Sequence, residues 1–139
     1  MNSNEFKILH SELISYFQLI ENDLKWIYSY MHKGNIYDNY NSLNRMNLGN
    51  LINELQTLDN YDKHPYISNN EYNFLRQMKE LRNYYCHQVY IDFSYVDNSW
   101  NSEEYNNIAN RLRRDHDKLW NICNNVEQVK LQARNDFKR

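Results

Sequence analysis

An arginine, an asparagine and a histidine fall within six residues in the run "LRNYYCHQVY", which spans 81–90. Side chains of these types can cut RNA without a metal. Such cleavage needs a group to take the proton from a ribose 2′-hydroxyl, another to protonate the 5′ leaving oxygen, and positive charge on the phosphorane. Imidazole titrates in the useful range, which suits His87 to proton transfer. Guanidinium grips phosphate with two prongs, which suits Arg82. Asn83 can orient the imidazole. The products of this chemistry are a 2′,3′-cyclic phosphate and a 5′-hydroxyl.

A helix must position these groups. Ser68 and Glu71 form an S-x-x-E capping box that starts one. Phe74, Leu75, Met78, Leu81, Tyr85 and Val89 give its apolar stripe, and the helix is expected to fray near 91–95. At about 100° per residue, Arg76, Asn83, His87 and Tyr90 fall opposite that stripe, with Glu80 beside them. Arg76 and Tyr90 are therefore candidate substrate-binding residues. Arg82 lies roughly 140° around from His87. Either the arginine curls around, the helix kinks, or the same helix of a second subunit completes the site.

Three further helices are expected. The first runs from about Asn4 to Met31 on Phe6, Leu9, Leu13, Phe17, Ile20, Leu24 and Ile27, with Gly34 as its stop. The second covers Leu43 to Leu58 and is weakened by Gly49. The segments "HKGNIYDNYNS" and "DNYDKHPYISNN" read as loops. Ser102 caps the last helix, with Glu103 and Glu104 in its first turn. Two glycines and one proline in 139 residues favour long helices over a β fold. The fold expected is all-α: one domain over 1–139, an antiparallel bundle of four main helices. With 13 tyrosines, tyrosine must pack where leucine does elsewhere, its hydroxyl reaching a partner or water.

Other chemistry is poorly supplied. Cys86 and Cys123 are too few for a disulfide framework, and Cys86 is expected to be a small half-buried residue. No signal peptide opens the chain and no run approaches a membrane span, so a reduced cytoplasmic protein is expected. "DNYDKH" (Asp59, Asp62, His64) has a loose likeness to metal-ligand spacing but gains no further ligand nearby, so no metal and no cofactor is expected. Residues 1–110 carry 8 Lys/Arg against 14 Asp/Glu, whereas 111–139 carry 8 against 4. A basic C-terminal quarter is only weakly indicative of contact to a polyanion; a solvated helix face explains it better. "RLRRDH" repeats the spacing with Arg111 and His116. His116 sits within about 40° of Leu112 and reads as a half-buried histidine with local salt bridges, the rival site.

"RNYYCH" (Arg82, Asn83, His87) resembles the R-N-x-x-x-H form of the signature of the HEPN superfamily, and the helix order is similar too. Only this six-residue motif is specific. The resemblance implies a metal-independent endoribonuclease in a toxin–antitoxin or phage-defence role. It further implies a homodimer with the two motifs facing a shared cleft, RNA as substrate, and an antitoxin or other defence-system protein as partner. Val89 stands where some subfamilies have the tyrosine of H-x-Y; here the tyrosine is Tyr90. The alternative is a non-catalytic helical adaptor or regulatory subunit that binds a partner protein through the same polar face. There, Arg82, Asn83 and His87 serve as structural hydrogen-bonding groups.

Overall fold

Asparagine and serine side chains start five of the helices. The side chains of Asn2, Asn35, Asn47, Ser68 and Ser102 accept from the amides of Glu5, Asp38, Asn50, Glu71 and Tyr105 at 2.8, 3.1, 2.8, 3.2 and 3.1 Å. Each satisfies an amide that the helix itself leaves free. Glu71 Oε1 also accepts from Ser68 N at 3.4 Å, completing the capping box read from the sequence. The computed structural model describes residues 1–61 and 64–138. Its helices are α1 (Ser3–Met31), α2 (Ile36–Ser42), α3 (Leu48–Asp59), α4 (Asn69–His87), α5 (Ile91–Ser94) and α6 (Glu103–Asp136), with a 3-10 turn at Ser99–Asn101. The chain is all-α as expected.

Three boundaries differ from expectation. The first expected loop contains α2, which is capped by Asn35. It buries no residue of its own and is held by the Tyr40 ring stacked on Trp26 at 4.1 Å. So short an element has no apolar period to announce it. Gly34, at φ +102°, makes the turn into it, a backbone state that only glycine adopts without strain. The second expected helix starts at Leu48 instead of Leu43, because Asn47 caps it there; Gly49 then falls in the first turn. The third stops at His87 and does not run on toward Ile91.

That last stop has a tertiary cause. The amides of Gln88 and Val89 both turn back to the Tyr84 carbonyl, at 2.9 and 3.0 Å. The Tyr85 carbonyl instead accepts from His10 Nε2 of α1 at 2.7 Å. A carbonyl only accepts, so Nε2 carries the proton. Another helix thus supplies the C-terminal cap of α4.

α1 and α6 lie side by side in the same direction. Tyr105 Oη donates to the Met1 carbonyl at 2.8 Å, His116 meets Glu12 at 3.1 Å, and Lys130 Nζ donates to Asp23 at 2.9 Å. Both sequence numbers rise together along the pair. The expected antiparallel order is therefore corrected for these two helices. It holds for α4 against α6, where the Tyr85–Asp115 and Phe74–Lys118 contacts run in opposite senses. One apolar core runs through the chain, from Phe6 to Ala133.

The largest buried side chains include Tyr72, Tyr85 and Tyr105, and each hydroxyl has a partner. Tyr72 donates to Asp59 at 2.7 Å, Tyr85 to Asp115 at 2.5 Å, and Tyr105 to the Met1 carbonyl. Asp59, 1% exposed at the end of α3, also accepts from the amides of Tyr66 at 2.8 Å and Ile67 at 3.1 Å. One carboxylate thereby fixes the approach to α4.

Two outcomes follow from these contacts. Burial, then the hydrogen bond to a carboxylate, pushes the Tyr72 and Tyr85 hydroxyls well above the usual tyrosine range. Above about pH 10 an unfolded chain gives up these protons while the folded one keeps them. Stability is therefore full below pH 10 and should fall by about 1.4 kcal/mol per pH unit for each of the two as pH rises further. Urea melts at pH 9, 10 and 11 read this directly, and a flat profile would contradict it. Asp59→Ala leaves two amides and a phenol without their acceptor and should cost about 3 kcal/mol or more. Tyr72→Phe, which removes one bond and keeps the ring, should cost about 1 kcal/mol in the same melts.

Candidate functional site at the end of α4

Asn83 and His87 lie on successive turns of α4, and both are exposed. This is the face on which the sequence places them. Arg82 points elsewhere. Its Nη1 donates to Glu21 Oε2 of α1 at 2.8 Å, and the two side chains keep 29% and 27% of their accessible surface. It turns towards α1, and His87 lies roughly 140° around the helix from it. One chain does not bring Arg82 and His87 together.

The two expected substrate-binding residues are also elsewhere. Arg76 Nε donates to Asn53 Oδ1 at 3.1 Å, and its Nη2 donates to Gln56 Oε1. It thereby ties α4 to α3, and lies about 16 Å along the helix from His87. Tyr90 lies beyond the last turn of α4, so the helical phase no longer applies to it. Its half-buried ring packs on Phe6, His10 and Phe93 at 5.6, 5.1 and 5.8 Å, and burial pushes its hydroxyl above the usual range. Tyr90 belongs to the core edge, not to the exposed face with His87.

The rival pair splits in the same way. His116, with 12% of its side-chain surface accessible, sits against Glu12 at 3.1 Å and Asp117 at 3.0 Å, its ring 5.3 Å from Tyr16. This is the half-buried histidine with local salt bridges that the sequence suggests. Arg111 instead faces α4: its guanidinium lies 4.5 Å over the Tyr84 ring, and its Nε is 3.6 Å from Asp115. A spacing of five residues places arginine and histidine about 140° apart on any straight helix, so both pairs diverge.

Sequence reasoning passed over His10 and Asp115 as functional groups, and over Arg111 except as part of the rival pair. His10 sits one turn after Phe6 and carries no motif, so nothing in the sequence marks it as the cap of α4. Among the other candidates, Asp59 is committed to backbone and phenol, His64 is exposed, and Asp62 lies outside the described residues. Among the described residues, no group of three or more His, Cys, Asp or Glu is placed to hold a metal. Cys86 is exposed, not half-buried as expected, while burial raises the Cys123 thiol.

Since both members of the Arg82–Glu21 pair reach solvent, Arg82→Ala should cost at most about 1 kcal/mol of stability and leave the helix content unchanged. A loss of cooperative melting in that variant would show that the arginine holds the fold.

No family model matches the chain, no curated protein matches it, and no solved structure matches its fold.

Proposed function

We propose that the protein is a metal-independent endoribonuclease of the HEPN type. It works in the cytoplasm as a homodimer of helical bundles, in a toxin–antitoxin or phage-defence role. The observation that carries this reading is the pairing of Asn83 and His87 on one exposed face at the end of α4, within the R-N-x-x-x-H run. In this reading His87 moves the proton between the 2′-hydroxyl, or the leaving oxygen, and solvent. Asn83, one turn away, orients the imidazole. Arg82, bonded to Glu21, is turned away from the His87 of its own chain, and in this reading the shared cleft of a dimer completes the site. A dimer through the α4 face would supply what one chain lacks.

The second reading is the adaptor. It is favoured by the internal employment of the cations: Arg82 binds Glu21, and Arg76 binds Asn53 and Gln56. In that reading α4 is a packing helix whose exposed edge meets a partner protein.

Incubation of the purified protein with RNA in excess EDTA separates the two. The nuclease reading expects fragments with 2′,3′-cyclic phosphate and 5′-hydroxyl ends. It also expects a fall of about 10²–10⁴ in rate for a folded His87→Ala variant, with His116→Ala still active. Full activity in a folded His87→Ala protein would end the catalytic reading. Activity that needs added Mg²⁺ or Mn²⁺ would end the metal-free mechanism. Sedimentation at micromolar concentration should give a dimer, and only monomer there would remove the shared cleft.

A further inference from the structure

α4 and α6 do not close over one another. Between them runs a groove with two contiguous parts, of about 340 and 280 Å³, that share Phe74. Tyr84 and Leu81 line the part nearest the end of α4. Ile122 and Val126 line the other. Two cations of α6 lie across this floor, each over an aromatic ring of α4. Arg111 stands 4.5 Å over Tyr84, and Lys118 Nζ stands 4.2 Å over Phe74. They are seven residues apart, about 10 Å along α6 and on the same side of it.

His87 does not line the groove but follows its last α4 residue by one turn. On α4, His87 is one turn beyond Tyr84 and lies within about 60° of it, and within about 20° of Glu80, which also lines the groove. Arg111 is thus the arginine that shares His87's side of α4 within a single chain. It is also the less committed of the two candidates. Its side chain keeps 47% of its surface and its ion pair to Asp115 is 3.6 Å, against 29% and 2.8 Å for Arg82. The carboxylate of Asp115 is already taken by the Tyr85 hydroxyl at 2.5 Å. Cations held on aromatic faces along an open channel give fixed charge that can track the phosphates of a single nucleic-acid strand.

We infer that a single strand of RNA lies in the α4–α6 groove. Arg111 and Lys118, held over the groove by the Tyr84 and Phe74 rings beneath them, bind successive parts of its phosphate backbone, and Arg111 presents a phosphate to His87. This inference rests on the endoribonuclease reading for the role of His87, but the binding itself is independent of cleavage. Glu80 and Asp115 line one part of the groove and Glu71 the other, and these three carboxylates work against the strand.

The test uses the full chain and a fluorescently labelled single-stranded RNA with every ribose 2′-O-methylated, so that it cannot be cut. Anisotropy is read at several salt concentrations, with melting curves for each variant. Arg111→Ala and Lys118→Ala should each weaken binding several-fold and lower the slope of log affinity against log salt by about 0.7. Arg111→Lys should recover part of the loss, Glu80→Gln should tighten binding, and Lys25→Ala, a cation of α1 outside the groove, should leave it unchanged. Wild-type affinity and salt slope in folded Arg111→Ala and Lys118→Ala overturn the inference, as does a wild-type protein that binds no RNA. If the wild type binds in this pattern but cuts no unmodified RNA, the groove stands and the nuclease reading falls. If it cuts unmodified RNA equally well with both cations removed, the nuclease reading stands and the groove falls.

Discussion

Tyr85 ties three helices together. Its phenol, 1% exposed, donates to Asp115 of α6, and its backbone carbonyl accepts from His10 of α1. A hydrogen bond to a charged group contributes about 1.5–3 kcal/mol, and a buried phenol without a partner costs a similar amount. The residue can therefore occupy only one register against α1 and α6. Because His10 takes the carbonyl that the next turn of helix would have used, α4 ends within two residues of Tyr85.

The rest of the chain is arranged around that stop. Past it, Gln88 leaves the helical region, and Val89, Tyr90 and Phe93 turn inward onto Phe6 and its neighbours. The short α5 and the 3-10 turn then carry the chain back to Ser102, which starts α6 beside the first turn of α1. That return is what makes α1 and α6 parallel, with Tyr105 bonded to the carbonyl of Met1. Asp59 performs the corresponding task at the other end of α4, gathering Tyr66, Ile67 and Tyr72 around one carboxylate. α4 is thus held at both ends by polar contacts, to the buried Asp59 at one end and the half-buried His10 and Asp115 at the other, and its polar outer edge is left to solvent.

The two arginines of α4 divide by neighbour. Arg76 is drawn to α3 and Arg82 to α1, so two of the cations nearest the R-N-x-x-x-H run are turned away from His87. Arg111 is not on α4 at all, yet it packs on Tyr84, one turn from His87. Proximity in sequence and proximity in space select different arginines here.

The sequence by itself determined the helical class, the capping box at Ser68, the cap at Ser102 and most of the apolar stripes. These depend on local geometry: a period of 3.6 residues and side chains that reach amides three positions away. It also placed Asn83 and His87 together and His116 beside the core, because both judgements need only the angle around one straight helix. The tertiary structure alone decided where α4 ends, since its cap is a histidine some 75 residues earlier in the chain. From that end follows the inward turn of Tyr90. The direction of α6 relative to α1, the partners of Arg76 and Arg82, and the meeting of Arg111 with Tyr84 were likewise settled between elements. A long cationic side chain reaches whichever acceptor or ring the neighbouring helix presents, and no periodicity within its own helix carries that information.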